Sequence, residues 1–132
     1  MNKKSSNLDN KFASIDLGSN NCRLSIVDLE NETKRDILRF SKVLNLAKNL
    51  TYSNEFTEET ISSVIKIFKI FAKKMKECDV SNYRCVATHA CREAINASML
   101  IERIYKDTGI KVEIISTEEE ARLCLKSNMF LR

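Results

Sequence analysis

Three apolar runs lie close together at the start of the chain, and they constrain the fold more than any other feature of the sequence. The first run covers about residues 11–17, the second 22–29 and the third 36–44, with only short polar breaks between them. Runs of this length joined by short connections predict three strands of an antiparallel meander. The fold must therefore contain a sheet whose first strands pair through tight turns.

Helical and strand patterns alternate through the rest of the chain. A helix is predicted after Thr57, which can cap its start, because apolar residues then recur at helical spacing. The later predicted elements are a strand at 83–89, a helical stretch at 90–108 that a new start at Asn96 would divide, a cap at Gly109, a strand at 111–116 and a last helix from STEEEARLCLK. This order predicts an α/β fold with a mixed five-stranded sheet.

Composition excludes several classes of protein. The 132 residues are 43% apolar and 30% charged, which is typical of one globular domain rather than a disordered chain. No apolar stretch reaches the length of a membrane span, and the basic start lacks the apolar segment of a secretory signal. We therefore expect no membrane partner, and we assign residues 1–10 to a polar leader that precedes a domain at 11–132.

The cysteines and the net charge exclude few of the possible functions. The five cysteines have an odd count and no CxxC spacing, which favours buried thiols in a reducing cytoplasm over a zinc site or a disulfide framework. The net charge of +4 suits either a polyanionic partner or an ordinary solvated surface. The lysines of the helix after Thr57 are expected to face solvent, with a membrane-surface helix as the alternative. No DNA or RNA partner is predicted.

Three polar clusters follow predicted strands: DLGSNN, THACRE and STEEEAR. Ligands on such sheets usually bind at the carboxyl ends of the strands. In the first cluster, Gly18 permits a close approach of the backbone or a positive φ angle, and Asp16 can hold Mg²⁺ directly or through water. Ser19, Asn20 and Asn21 offer further donors for an anion. The alternative is a structural turn whose polar side chains cap their own backbone.

The other two clusters leave a choice open. Arg92, expected near the start of a helix, can clamp a phosphate or pair with a surface carboxylate. Two overlapping capping boxes, starting at Ser116 and Thr117, fit the last helix, and each uses the glutamate three residues later. Only one box can form, so either Glu119 or Glu120 stays free to act as a general base. Spacing alone does not choose between them.

The segments ASIDLGSNNCRLSIVD, THACREAINASML and VEIISTEEEARL resemble, in order and spacing, the exopolyphosphatase/guanosine pentaphosphate phosphohydrolase family. The resemblance spans about residues 12–125. It implies the first domain of an actin/Hsp70-type, ribonuclease-H-like fold. It also implies a cytoplasmic hydrolase that uses Mg²⁺ and releases orthophosphate from polyphosphate ends or converts pppGpp to ppGpp.

The same resemblance implies roles for individual residues. It assigns phosphate binding to Gly18, Ser19, Asn20, Asn21 and Arg92. It makes Glu120 the general base, which leaves Ser116 and Glu119 for the helix cap. Asp16 would then hold the metal or its waters.

The resemblance further implies that part of the site lies outside this sequence. The family's second domain carries a glycine-rich D-x-G-G-G-S loop, whereas this chain has only two glycines. We therefore expect the chain alone to be inactive or nearly so towards polyphosphate or guanosine pentaphosphate, unless a second chain or a homodimer completes the site. The alternatives are a non-catalytic module that binds nucleotide or polyphosphate, and a fragment of a split or degraded gene.

Overall fold

One mixed sheet of five strands organises the residues that the computed structural model describes, which are 10–30 and 33–130 without the side chains of 126–130. The strands in chain order are β1 (Lys11–Leu17), β2 (Asn21–Glu30), β3 (Thr33–Val43), β4 (Asn82–Ala87) and β5 (Glu113–Ile114). Across the sheet their order is β3-β2-β1-β4-β5. β2 is antiparallel to β1 and β3, whereas β4 is parallel to β1 and β5. The predicted meander and mixed sheet are confirmed. The predicted leader at 1–10 falls, except for residue 10, outside the described residues.

Four helices connect or follow the strands in this part of the chain: α1 (Glu58–Glu77), α2 (His89–Glu93), α3 (Ala97–Thr108) and α4 (Thr117–Phe130). The predicted caps of two of them are confirmed. The Thr57 hydroxyl accepts a hydrogen bond from the Thr60 amide at 3.2 Å and caps α1. Gly109, with a φ of 79°, ends α3 and donates its amide to the Tyr105 carbonyl at 2.8 Å. No helix in the described ranges has the length and apolar character of a membrane span.

The helical stretch predicted at 90–108 is divided into α2 and α3. The chain becomes extended at Ala94, with φ −73° and ψ 129°. Asn96 then uses both ends of its side chain on Phe56, accepting from its amide at 2.9 Å and donating to its carbonyl at 3.0 Å. The helix is interrupted despite its local propensity because the Asn96 side chain then pairs the Phe56 amide and carbonyl, which belong to the loop before α1. The new helix start considered at Asn96 is confirmed, although its side chain does not cap α3.

The predicted strand boundaries differ from the structure at several ends. β4 stops at Ala87 because His89 already lies in α2, and β5 has only two residues instead of the six predicted at 111–116. β3 begins at Thr33, three residues before the predicted start. Boundaries of this kind depend on pairing with neighbouring strands, which the local sequence does not encode.

The two faces of the sheet have different environments. On β1, Ala13, Ile15 and Leu17 are buried on one face, whereas Ser14 and Asp16 on the opposite face are exposed. The buried face packs against the apolar sides of α1 and α3, where Phe68 and Leu100 are fully buried. We call the other side of the sheet the open face; it is defined by Ser14 and Asp16 and by the residues paired with them, Arg23, Ser25, Arg84 and Val86.

Candidate functional site

The carboxyl ends of β1, β4 and β5 meet at one edge of the sheet, so the three polar clusters that follow them come together as predicted. A cavity of about 370 Å³ opens there. It is lined by Asp16, Arg23, Val86, Thr88, Ile115, Glu120, Leu123 and Cys124. The cavity thus brings two of the candidate residues, Asp16 and Glu120, to a common space from opposite ends of the chain.

The start of α4 decides which glutamate faces this cavity. The Glu119 amide donates to the Ser116 hydroxyl at 3.1 Å, so Ser116, and not Thr117, is the residue that caps α4. The Glu119 carboxylate forms a two-pronged ion pair with Arg122 on the surface of the helix. Glu120 begins the helical hydrogen bonding, with its amide on the Ser116 carbonyl at 2.9 Å, and its side chain lines the cavity. The predicted helix register is confirmed.

Arg92 links the second and third clusters. One guanidinium nitrogen, Nη1, donates to the Ile115 carbonyl at 2.7 Å, and the other, Nη2, donates to Glu120 Oε1 at 3.1 Å. The Arg92 side chain is 23% exposed and the Glu120 side chain 40% exposed, so water screens this ion pair only in part. Arg92 therefore fixes the end of β5 and orients the Glu120 carboxylate.

Arg92 lies near the start of a helix, as expected, because it is the fourth residue of α2, but this helix has only five residues and Arg92 is also in its last turn. A helix of little more than one turn adds only a small dipole to assist this side chain. The capacity of Arg92 to grip an anion rests on its guanidinium, which already has a carboxylate and a carbonyl as partners.

Asp16 lies between a cation and an anion at the end of β1. It pairs directly across the strands with Arg23. Although the side chain reaches solvent, loss of surrounding water raises the pKa of Asp16, the Arg23 charge lowers it and the Glu120 charge raises it again. The net raised pKa indicates that the space between Asp16 and Glu120 favours an added positive charge or a proton.

The turn between β1 and β2 is fixed by hydrogen bonds from the segment that follows β3. The Asn20 carbonyl accepts from the Leu44 and Asn45 amides at 2.8 and 2.9 Å, and the Ser19 carbonyl accepts from the Ala47 amide at 3.1 Å. No described residue accepts a hydrogen bond from the Ser19 or Asn20 amide. The turn therefore combines fixed carbonyls with two unused backbone donors, which is an arrangement suited to an anion.

Gly18 serves close approach rather than a positive φ angle, since Gly109 is the glycine with positive φ in the described chain. The Gly18 amide donates to the Asn21 carbonyl at 3.0 Å. A Cβ atom at Gly18 would lie 3.1 Å from that same carbonyl oxygen and 3.9 Å from Asp16 Oδ1. Any larger residue would push the turn away from the end of β1.

The five predicted phosphate-binding residues do not share one cavity. None of Gly18, Ser19, Asn20 and Asn21 lines the space between Asp16 and Glu120, and Arg92 reaches that space only through Glu120. Asn21 lines a neighbouring cavity of about 370 Å³ together with Arg23, Ser25 and Arg39. The predicted site is therefore two adjacent spaces in this structure.

Arg23 is the residue that sequence reasoning missed. It lines both cavities and is the charged side chain they share. Its signal was present in the sequence: alternation along β2 places Arg23 on the same face as Asp16, opposite the buried Cys22 and Leu24.

The donors fit a Mg²⁺ ion that keeps most of its water. Within the described residues no group of three or more His, Cys, Asp or Glu is positioned to hold a metal. Asp16 and Glu120 line one cavity, and the Glu120 charge is one of the causes that raise the pKa of Asp16. Mg²⁺ is commonly bound by one or two carboxylates with water and phosphate oxygens as its other ligands, so this pair suits it.

Three of the five free cysteines lie beneath the site in the core. Cys22, Cys85 and Cys91 are buried, and burial is the main cause that raises the pKa of each thiol, to about 11 for Cys91. Thiols with raised pKa values are poor nucleophiles and poor metal ligands. These cysteines act as small core residues.

Comparisons with known proteins identify the family to which the chain is related. Residues 25–128 match the model of the Ppx/GppA phosphatase family, a segment that includes Arg92 and Glu120 but begins after the Gly18 turn. The chain is 30% identical over 121 residues to a bifunctional 3-dehydroquinate synthase/phosphatase of Fusobacterium nucleatum, covering 86% of this chain and 18% of that protein. It is 29% identical over 120 residues to a guanosine-5'-triphosphate,3'-diphosphate pyrophosphatase of Aliivibrio fischeri, covering 91% and 24%.

Solved structures agree with the sequence matches. The Aquifex aeolicus member of the Ppx/GppA protein family superposes with a TM-score of 0.81 at 32% identity, over 85% of this chain and 37% of that one. An exopolyphosphatase from Cytophaga hutchinsonii gives a TM-score of 0.81 at 30% identity, over 86% and 36%. The chain thus spans about a quarter or less of the curated relatives' length. The expected actin/Hsp70-type, ribonuclease-H-like fold is confirmed. The chain belongs to the Ppx/GppA phosphatase family.

Proposed function

We propose that this chain is the N-terminal part of a cytoplasmic phosphohydrolase that releases orthophosphate from the ends of polyphosphate or from pppGpp with the help of Mg²⁺. The observation that carries the proposal is the contact of Arg92 Nη2 with Glu120 Oε1 at 3.1 Å, beside the cavity that Glu120 shares with Asp16. Family membership and the names of the relatives support the reaction class. The free cysteines support a reducing compartment.

Glu120 is proposed to act as general base. Its carboxylate is 40% exposed and lines the cavity, so a water molecule can reach it and a substrate phosphate can approach that water. Arg92 holds the carboxylate in one orientation through a charge-assisted hydrogen bond. In this role Glu120 removes a proton from the water molecule that attacks the terminal phosphate, and its fixed orientation positions that water for hydrolysis of the phosphoanhydride bond.

Binding of phosphate is proposed to involve the turn and the cations around it. The free amides of Ser19 and Asn20 and the guanidinium of Arg23 supply donors for phosphoryl oxygens. Gly18 keeps the turn close to Asp16, and Asn21 extends the donors towards the neighbouring cavity. When an anion binds, Arg92 can donate one of its remaining N–H groups to a phosphate oxygen while keeping its bonds to Glu120 and the Ile115 carbonyl.

Mg²⁺ is proposed to be held by Asp16, directly or through water, with Glu120 close to its hydration shell. Bound there, the ion would neutralise charge on the transferring phosphoryl group. Asp16 is suited to this role because it lines the cavity beside Glu120, and a cation there would offset the loss of surrounding water that raises the pKa of its carboxyl.

The decisive experiment measures orthophosphate release from long-chain polyphosphate with Mg²⁺ for the native chain, Glu120→Gln and Glu118→Gln. Glu118 is an exposed carboxylate of the same helical turn and is the matched control. We expect the native chain to be inactive or nearly so. Turnover that disappears in Glu120→Gln and persists in Glu118→Gln would mean that a second copy or another chain completes the site.

Binding supplies the second measurement, since it does not require a complete site. Titration with tripolyphosphate should give a dissociation constant about 5- to 20-fold weaker for Arg92→Lys, because lysine lacks the planar pair of donors. Arg103→Lys, which alters an exposed ion pair with Glu58 elsewhere, is the control. Turnover that Glu120→Gln leaves intact, or equal tripolyphosphate binding in both arginine variants, would contradict the proposed function.

A further inference from the structure

The outer side of α1 carries a row of four lysines, Lys66, Lys69, Lys73 and Lys76, which we call the lysine row. All four are exposed. With 100° and 1.5 Å per residue, they occupy an arc of about 80° and extend over about 15 Å along the helix. Phe68 and Phe71, which are fully buried, lie on the opposite side of α1. The lysine row therefore faces away from the core as a line of positive charge.

The lysine row has no direct ion-pair partner, since none of the four lysines forms an ion pair within the described part of the chain. The acidic residues of α1, namely Glu58, Glu59 and Glu77, lie at its two ends, and Glu58 is held by Arg103 at 2.5 Å. Four unpaired charges of one sign in a row repel one another, and a linear polyanion relieves that repulsion along its length.

The other exposed residues of α1 indicate which kind of polyanion the lysine row can bind. Single-stranded nucleic acids bind basic surfaces that also present aromatic side chains for base stacking. On α1 the one exposed large apolar residue is Ile70, and no aromatic side chain of the helix is exposed. A membrane-surface helix needs a free apolar face, whereas that of α1 is used in the core. These features favour a flexible chain of phosphates over single-stranded nucleic acids and lipid surfaces.

We propose that the lysine row is a second binding site, which holds long-chain inorganic polyphosphate away from the cavity of Asp16 and Glu120. This inference rests on the proposed function and names its substrate class, since the terminal phosphates of pppGpp are too short to reach from the open face to the outer side of α1. A polymer bound along the row stays attached while its end is sampled at the cavity, which raises the effective concentration of that end.

The test compares binding of long-chain polyphosphate and tripolyphosphate by the full chain at several salt concentrations. In the row variant, Lys66, Lys69, Lys73 and Lys76 are replaced by glutamine, which has similar helix propensity. The control variant carries the same change of charge at dispersed exposed lysines, with Lys34, Lys48, Lys106 and Lys111 replaced by glutamine. A third variant carries arginine at the four row positions, and circular dichroism verifies that all variants fold.

We expect the row variant to bind long-chain polyphosphate at least about tenfold more weakly, with the slope of log K against log salt reduced by about three, because four phosphate contacts are lost. The control variant should weaken binding by about twofold or less, and the arginine variant should bind as the native chain does. Tripolyphosphate binding should be unchanged in the row variant.

Three outcomes would overturn the proposed polyphosphate site. In the first, the row and control variants lose the same amount of affinity for long-chain polyphosphate. In the others, the native chain binds tripolyphosphate as tightly as long-chain polyphosphate, or binds polyuridylate or anionic vesicles as tightly as polyphosphate. Failure of the proposed function is distinguishable, because it would leave tripolyphosphate binding indifferent to Arg92→Lys while the row could still bind the polymer.

Discussion

The two faces of the same sheet are built from the same strands but carry opposite kinds of chemistry. On the buried face, residues such as Ile15 and Leu24 are at most 1% exposed and contact the helices. On the open face, Asp16 and Arg23 occupy the next positions along the same strands and retain contact with solvent. A single residue step along β1 therefore separates a core position from a site position.

This contrast between the two faces indicates that one face of the sheet provides most of the stability and the other carries the candidate site. The buried face stabilises through apolar area removed from water, which is large and insensitive to pH. The open face collects charges whose interactions are partly screened and depend on protonation. Substitutions on the two faces should therefore differ in size and in their response to pH.

The largest effect is expected from Phe68→Ala on the helix that covers the buried face. Phe68 is fully buried and its ring lies 5.4 Å from that of Phe71, so its removal leaves a cavity. We expect the free energy of unfolding to fall by about 3–5 kcal/mol. Urea denaturation measures it, with Ser14→Ala on the open face as a control that should change stability by less than about 0.5 kcal/mol. Similar losses in both would contradict the distinction between the faces.

Arg92→Ala should give the next largest effect, since Arg92 belongs to neither face but joins β5 to α4. The substitution removes the donor to the Ile115 carbonyl and the partner of Glu120. We expect a loss of about 1–2 kcal/mol in urea denaturation. Arg103→Ala, at a more exposed ion pair on α3, serves for comparison and should lose less. An unchanged midpoint for Arg92→Ala would mean that these contacts are not maintained in solution.

Asp16→Asn should stabilise the chain, in contrast to the previous substitutions. The pKa of Asp16 is raised in the folded state, mainly by loss of water, so the ionised form opposes folding. Wild-type stability should fall relative to the variant as pH rises from the unfolded-state pKa of about 3.9 through the raised folded-state value. At neutral pH we expect the variant to melt about 1–3 °C higher.

The advantage of Asp16→Asn should disappear below the unfolded-state pKa, where the wild-type carboxyl is neutral in both states. Melting curves of both proteins at neutral and acidic pH test this. Asp36→Asn on β3, whose carboxylate pairs with Arg39 at 3.0 Å, is the control and should not stabilise. A lower melting temperature for Asp16→Asn at neutral pH would contradict the sign.

The smallest effect is expected from Arg84→Ala on the open face. Arg84 Nε donates to Glu113 Oε1 at 2.6 Å, but both side chains are about half exposed, at 42% and 55%. Water and salt screen such pairs, so stability should change by less than about 0.5 kcal/mol and the change should shrink at high salt. A loss above that of Arg92→Ala would show that exposure does not set the strength of these ion pairs.

The sequence predicts the sheet and the helices well because their signals are local. Alternation in β1 and β2, helical spacing in α1 and the caps at Thr57 and Gly109 all correspond to observed elements. The division of 90–108 depends on Asn96, whose partner Phe56 is 40 residues away. Tertiary contacts of that kind override local propensity, which is why the sequence offers a new helix start at Asn96 but does not show that α2 ends at Glu93.

The candidate site was predictable in part. Strand order brings Asp16 and Glu120 to one cavity, and the cap at Ser116 sets the register of Glu120, as the sequence patterns indicated. Arg23 was not predicted because it is a single charged residue within β2 and does not belong to a polar cluster that follows a strand. The separation into two cavities depends on side-chain positions, which no local pattern encodes.

The position of β3 at the margin of the sheet has a consequence for solubility. One side of this strand has no neighbour among the described strands, so its backbone groups could pair with another molecule. β3 carries four cations, Lys34, Arg35, Arg39 and Lys42, of which Arg35 and Arg39 form ion pairs with Asp28 and Asp36. At the opposite margin, β5 offers only two residues. Charged side chains on one margin and the short length of the strand on the other discourage edge-to-edge assembly of these molecules into aggregates.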